Sequence, residues 1–429
     1  MKRLCIAAAI VGRSLCAAAA DGEASPLRFS MDMQSVLAYT YEELIDDSLF
    51  NPGNAIAQRP SEQLGLELRP DLQLSGGRFS LTARPRIRFG ELFGADSPAE
   101  AAFATDAYVN TWKLKAALAS TVSVSYGREV LQWGNGTFRS PSNPFFIDTG
   151  KLNPITELYG KDFLSLVYTP SPTLSFTLID NTGAGRREPS AVPFERIVAL
   201  KLDYVGDKDS AGLIASKQRS RSLRLGGYLT HTASDAMLLY AETTFARGSD
   251  GFYPQHDSSA LGWTFEQSAR DSDHLFYSHL VGAAYSLEGG ATLTLEYLHS
   301  NEGFDSQQAR DFRSLGNEAR AQLMVGGPDA AKAGALLGRG LDPNLRLLRQ
   351  DYLFFQFFVA EYLDKADIAL RYSRTIDDNS AGLSTSIIYS AGQRTQFFFI
   401  GSYNRGGRDT QFARLHQYTL FAGLRYFPF

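Results

Sequence analysis

Along most of the chain, apolar and polar residues alternate one by one. Across 27–41 the odd positions are Leu27, Phe29, Met31, Met33, Ser35, Leu37, Tyr39 and Tyr41, with Arg28, Ser30, Asp32, Gln34 and Thr40 between them. Successive side chains point to opposite faces only in a strand, so this segment is a strand with one apolar and one polar face. The segment 63–74 repeats the pattern, with Leu64, Leu66, Leu68, Leu72 and Leu74 set against Glu67, Arg69, Asp71 and Gln73. So does 79–89, with Phe79, Leu81, Ile87 and Phe89 against Thr82, Arg84, Arg86 and Arg88.

The same reading predicts strands at 104–116, 121–131, 162–169, 173–180, 197–205, 211–218, 222–231 and 236–246, then at 275–287, 291–300, 350–363, 367–375, 384–391, 395–403 and 416–429. Short spacers such as Ser75-Gly76-Gly77, Pro170-Ser171-Pro172 and Glu288-Gly289-Gly290 alternate with long ones. Tight turns at one end and long loops at the other predict an all-β fold, a transmembrane up-and-down antiparallel barrel. Eighteen strands are expected. The short spacer at Arg219 to Arg221 falls where a long loop is due and leaves sixteen as the alternative. A soluble sandwich would also alternate, but it would seldom need this many strands with charged inner faces.

One stretch, 130–163, breaks the alternation. Gly134, Gly136, Pro141, Asn143, Pro144, Gly150, Asn153 and Pro154 forbid regular structure there, while Trp133, Phe138, Phe145 and Phe146 argue against disorder. A long aromatic loop in a long-loop slot is expected to fold into the barrel and narrow it, over 132–162. Its alternative is a rigid loop folded over the rim. Trp133, Asn135, Phe138, Asn143, Phe145, Asp148 and Glu157 are the candidate constriction residues, with Arg139 and Lys151 facing the path.

Charge then suggests a solute. Arg84, Arg86 and Arg88 share one face of one strand, and pairing through the Ser75-Gly76-Gly77 turn places Glu67 by Arg86 and Arg69 by Arg84. Even with Asp71, four arginines meet two carboxylates, a patch that would attract and orient anions. The competing reading is an ion-pair network bracing the wall. Arg128, Lys201 and Arg371 are further candidates for the lumen. A formal charge of -4 argues against a nucleic-acid partner.

Residues 1–20 resemble a secretory signal, with Lys2 and Arg3, an apolar core and a small-residue end at 17–20, leaving 21–429 as one barrel domain. Both cysteines, Cys5 and Cys16, lie in that segment, so neither a disulfide nor a cysteine-held metal is expected beyond it. No cofactor or metal is expected. The six histidines are scattered, and adjacent His299 and Ser300 would face opposite ways on a strand, which weighs against a lipid hydrolase. Asp377-Asp378-Asn379 and Asp207-Lys208-Asp209 are better read as turns than as calcium loops.

The closing segment, with Tyr418, Leu420, Ala422, Leu424 and Tyr426 on one face and Phe429 at its end, resembles the last strand of Gram-negative outer-membrane porin-like channels. Trp133-Gly134 followed by Pro141-Ser142-Asn143-Pro144-Phe145 beside an arginine-rich wall is similar to relatives of the alginate-export channels. The resemblance implies Sec-type export, insertion by the barrel machinery through the C-terminal strand, outer-membrane lipid around the wall, and a path for small or polymeric anionic solutes. A monomer is expected, with a trimer as the alternative. Two other functions stay open: an outer-membrane enzyme, and a plugged barrel whose long loops bind a surface partner. The segment 300–349 bears on the second, because 328–337 has helix-forming composition and would either cover the mouth or stand free.

Overall fold

A computed structural model describes residues 26–93, 103–186, 193–219, 221–258, 261–267 and 274–428. The expected signal segment and Phe429 lie outside the described residues. The strands in chain order begin with β1 (Arg28–Leu44), β2 (Glu62–Gly76), β3 (Phe79–Phe93), β4 (Phe103–Ala117), β5 (Val122–Glu129), β6 (Lys161–Ser171) and β7 (Leu174–Gly183). Then come β8 (Ile197–Val205), β9 (Asp209–Gln218), β10 (Leu223–Ser234), β11 (Met237–Arg247), β12 (Phe252–His256), β13 (Trp263–Gln267), β14 (Leu275–Ser286) and β15 (Ala291–Ser300). The last five are β16 (Asp351–Tyr362), β17 (Ala366–Thr375), β18 (Ala381–Ser390), β19 (Thr395–Arg405) and β20 (His416–Tyr426).

All but β12 and β13 belong to one 18-stranded antiparallel sheet. Its last strand returns to its first, with Leu424 opposite Leu37, so the sheet is a closed barrel. Arg219 to Arg221 belongs to a tight connection, Arg221 N–H donating to Gln218 C=O at 3.1 Å, which decides for eighteen strands over sixteen.

Alternation sorts the two faces. Leu66, Leu200, Leu213, Val281 and Leu295 stand exposed on the outer wall, while Glu67, Arg69, Glu242 and Glu296 are buried inside. An apolar belt around a wall with no free edge is the arrangement a bilayer requires. Tyr403, Tyr418 and Tyr426 lie on that outer face near strand ends, where an aromatic girdle belongs.

The β2–β3 register differs from expectation by two residues. Gly76 faces Phe79, so the turn apex is Gly77-Arg78, with Gly77 at φ +55° in the left-handed region that suits glycine. Glu67 therefore faces Arg88 and pairs with it at 3.1 Å, as well as with Arg69 at 2.8 Å. Arg84 pairs with Asp71 at 3.2 Å.

The segment 300–349 is a helical cap. Helix α1 (Ser306–Val325) starts at Asp305, whose carboxylate accepts the N–H groups of Gln307 and Gln308, both at 2.8 Å, and Gln308 returns a bond to the Asp305 N–H. Helix α2 (Ala330–Leu341) covers the 328–337 stretch, but α1 has no counterpart in the sequence reading. Phe312, Leu315, Leu336 and Leu337 pack with Phe50 from the β1–β2 loop and with Tyr253 and Trp263 from the β12–β13 hairpin. Phe50 stacks on Phe312 at 4.2 Å. Burying these large apolar groups, at about 25 cal/mol per Å², fixes the cap at the long-loop end instead of leaving it free.

Candidate functional site

The loop 130–160 leaves β5, crosses the barrel interior and returns to β6. Its local shape follows from its turn residues. The Asn143 side chain, fully buried, accepts from Phe145 N–H at 2.9 Å and Phe146 N–H at 3.0 Å, and donates to Leu131 C=O at 2.9 Å. Asp148 and Asn153 make comparable turns, accepting from Gly150 N–H at 2.8 Å and from Ile155 N–H at 3.0 Å.

The first half of the loop is held by acids. Glu242 on β11 accepts from Gly136 N–H at 2.9 Å, Ser140 Oγ at 2.8 Å, and Ser142 through N–H at 3.3 Å and Oγ at 2.7 Å. Glu296 on β15 accepts from Phe138 N–H at 3.2 Å, Tyr240 OH at 2.6 Å and Thr137 N–H. A side chain at Gly134 would place its first carbon 2.3 Å from the Glu242 carboxylate, so glycine is what lets the backbone come this close. Asn135 donates to Thr230 on β10, and the Phe138 ring stacks on Phe354 of β16 at 4.6 Å.

The second half is held by bases. Arg371 on β17 donates to Lys151 C=O at 3.1 Å and Leu152 C=O at 3.2 Å, and Arg69 on β2 donates to Ile155 C=O at 2.9 Å. Ile155 packs against Val36, Ile388 and Phe398. Arg86 on β3 is 1% exposed and clamps Glu157 with two bonds of 2.7 and 2.6 Å. Asn110 on β4 adds bonds to Glu157 at 3.2 Å and to Leu158 C=O at 3.1 Å. Burial pushes the Glu157 carboxyl upward, yet the Arg86 bonds and charge, with Arg69 and Arg84 nearby, outweigh it and hold Glu157 below the usual carboxylate range.

The loop therefore folds inward, and the rim alternative is set aside by contacts that reach strands around the wall. Arg69, Arg86 and Arg371, read from sequence as pore-lining or solute-binding, are buried struts whose donors are shared between the loop and neighbouring wall groups, as Arg69 with Glu67 and Arg371 with Gln356. Glu157 is also a third carboxylate beside the arginine ladder, so the expected surplus of two positive charges shrinks. Arg84 keeps half its side chain exposed beside Asp71, and Arg88 lies between Glu67, Tyr159 and the face of Tyr108, 5.1 Å from the ring centre. Arg128 has its guanidinium bound to Asp162 at 2.8 Å, and Arg139 sits 3.9 Å from exposed Asp148. Lys151 donates to Gly136 C=O at 3.1 Å. Lys201 pairs with Asp203 and lies 5.2 Å from the Trp133 ring centre, while Trp133 and Phe145 meet edge to face at 5.9 Å.

Glu242, Glu296 and Asn110 escaped the sequence reading. The signal was available: an acid in lumen phase amid apolar neighbours, as Glu296 between Leu295 and Tyr297, needs buried donors.

Two polar cavities flank the loop. The one toward the short turns has a volume of about 720 Å³ and is bordered by Asp32, Asp71, Arg84, Lys113, Glu129 and Lys151. The one toward the long loops measures about 410 Å³, with Lys161, Arg221, Arg224 and Arg346 facing Asp250 and Glu302. Among the described residues no cluster of acids and histidines is arranged to hold a metal ion. His299 faces outward against Asp351 at 2.8 Å, whereas Ser300 faces inward and accepts from Ser278 at 2.8 Å.

No family model matches the chain, and no curated protein matches it in sequence. Solved structures do match in shape. OccAB1 of Acinetobacter baumannii superposes with a TM-score of 0.57 at 12% identity, over 94% of this chain and 97% of that one. The barrel shares its fold with that structure. OprD of Pseudomonas aeruginosa follows with a TM-score of 0.54 at 12% identity, over 95% and 98%. OpdK of the same organism, solved with vanillate, gives 0.54 at 11%, over 93% and 98%. These likenesses carry the fold, and they do not carry the narrower similarity to alginate-export channels.

Proposed function

We propose that the protein is a passive channel of the outer membrane for small anionic solutes, narrowed by the 130–160 loop. The observation that carries this reading is the loop itself, bonded to the wall by buried acids on one side and buried arginines on the other, with a polar cavity above and below. A loop pinned in this way favours diffusion of small solutes over export of polymers. Exposed Arg84, Lys113 and Lys151 on one side, and Lys161, Arg221 and Arg346 on the other, supply cations along the route. Asp71, Glu129 and Asp250 temper them, which suits a carboxylate that must also leave. That OpdK was solved with vanillate, an aromatic carboxylate, supports the same solute class.

Planar-bilayer recording in a salt gradient tests the proposal. A reversal potential of the sign for anions is expected, reduced in Arg84→Ala/Lys113→Ala. A cation-selective pore would overturn it.

The cap gives the plugged barrel its own observation, since α1 and α2 pack into a buried cluster at the long-loop end. Replacing 306–341 by a short linker should raise conductance if the cap only borders the route. Zero conductance with and without it would favour the plugged reading. The proposal also takes residues 1–20 as a Sec signal, β20 as the strand the insertion machinery reads, and the monomer as the working unit.

A further inference from the structure

Near the long-loop ends of β17, β18 and β19, the outer wall carries a tier that differs from the apolar belt. Register sets Arg374 opposite Ala381 and Ala381 opposite Arg405, so two arginines flank one small residue. Their Cα atoms are two strand spacings apart, roughly 10 Å. One tier nearer the bilayer, Tyr372 faces Leu383 and Leu383 faces Tyr403, all three exposed. The missing bulk at Ala381 leaves a recess of about 470 Å³ between the guanidiniums and above Leu383.

No carboxylate lines this recess. Arg374 donates to the Asn379 side chain at 2.7 Å, and among the described residues neither it nor Arg405 forms an ion pair. The nearest acids in the chain are spent elsewhere. Asp377 accepts from Gln350 and Asp351 N–H, both at 2.9 Å, and Asp378 accepts from Ser380 N–H at 2.9 Å and from Thr375. Elsewhere on the outer wall, Asp180 is matched by Arg196.

We propose that the Arg374–Ala381–Arg405 recess binds the phosphate of a lipid in the outward-facing leaflet, with the acyl part lying over Leu383 between Tyr372 and Tyr403. Two guanidinium forks suit a phosphate, and an apolar tier directly below suits a chain attached to it better than a free anion. The inference requires only that the barrel stands in a membrane; it does not depend on what the channel carries.

Native mass spectrometry of the detergent-solubilised full chain, titrated with bisphosphorylated lipid A and with its dephosphorylated form, tests this. The wild type should prefer the phosphorylated lipid by about ten-fold or more. Arg374→Ala/Arg405→Ala should lose the preference, and so should Ala381→Phe, which keeps both charges but fills the gap. Heat-resistant gel migration and unchanged single-channel conductance would show that the variants are folded. Equal binding of both lipids by the wild type, or an undiminished preference in the variants, would overturn the assignment. Displacement of the lipid by millimolar inorganic phosphate would also overturn it, in favour of a site for free anions.

Discussion

The two halves of the lumen-crossing loop are fastened by opposite chemistry. From 136 to 142 the backbone offers N–H groups to the wall, and Glu242 and Glu296 receive them together with neutral hydroxyls. From 151 to 157 it offers C=O groups and one carboxylate, and Arg371, Arg69 and Arg86 donate to them. Charge on the wall thus follows the direction in which the backbone dipoles point. The cost of failure also differs. On the acidic side each carboxylate serves three or four neutral donors at once, so its loss strands them all. On the basic side each arginine holds only one or two groups of the loop, and Arg86 keeps Asp71 at 3.0 Å even without Glu157.

The contrast ranks the consequences of breaking each side. Glu242→Ala should have the largest effect, about 3 kcal/mol or more of lost stability from its four stranded donors. Thermal melting in detergent should show it, and single-channel conductance should rise as 134–142 comes loose; an unchanged pair of readings would sink the anchoring role. Glu157→Gln should cost less, about 1–3 kcal/mol, because it uncouples Arg86 but leaves that arginine other partners. Arg371→Met should cost about 1–2 kcal/mol, measured in the same way, through two lost carbonyl bonds.

Acid should act on the basic side through Glu157. Its folded-state pKa lies below the ordinary value of 4.5, so its stabilisation is fully present above that value and is lost as pH falls through the lower, folded-state one. The melting difference between wild type and Glu157→Gln should therefore shrink as the pH falls below the ordinary carboxylate value and vanish once it is below the folded-state one. A difference that persists there would contradict the pairing. Smallest of all, Arg84→Ala should leave melting within about 0.5 kcal/mol, since that side chain is half exposed, while lowering anion preference.

Strand number, barrel class and the inward course of the loop were legible because each rests on local periodicity or composition. The alternation of Leu64 to Leu74 or Phe79 to Phe89 announces a strand whatever it pairs with. Pairing itself was less legible: the β2–β3 register turned on which residue occupies the turn apex, and Gly76 and Gly77 both qualify. Helix α1 was missed because its sequence is polar on most faces, and only the tertiary partners Leu49 and Phe50 make Phe312, Leu315 and Ala319 a buried stripe. The roles of Arg69, Arg86 and Arg371 stayed open in the sequence for the same reason. A lumen-facing arginine looks alike in sequence whether it meets solute or a loop carbonyl, and the deciding partner is far away in the chain.

That distance has a consequence for how the molecule assembles. Arg69, Arg86 and Asn110 precede the loop, but its other anchors follow it by 106 residues at Glu242, 158 at Glu296 and 219 at Arg371. Such contacts close late, after the intervening chain has been ordered. The narrowing is therefore complete only when strands made long after the loop have taken their places.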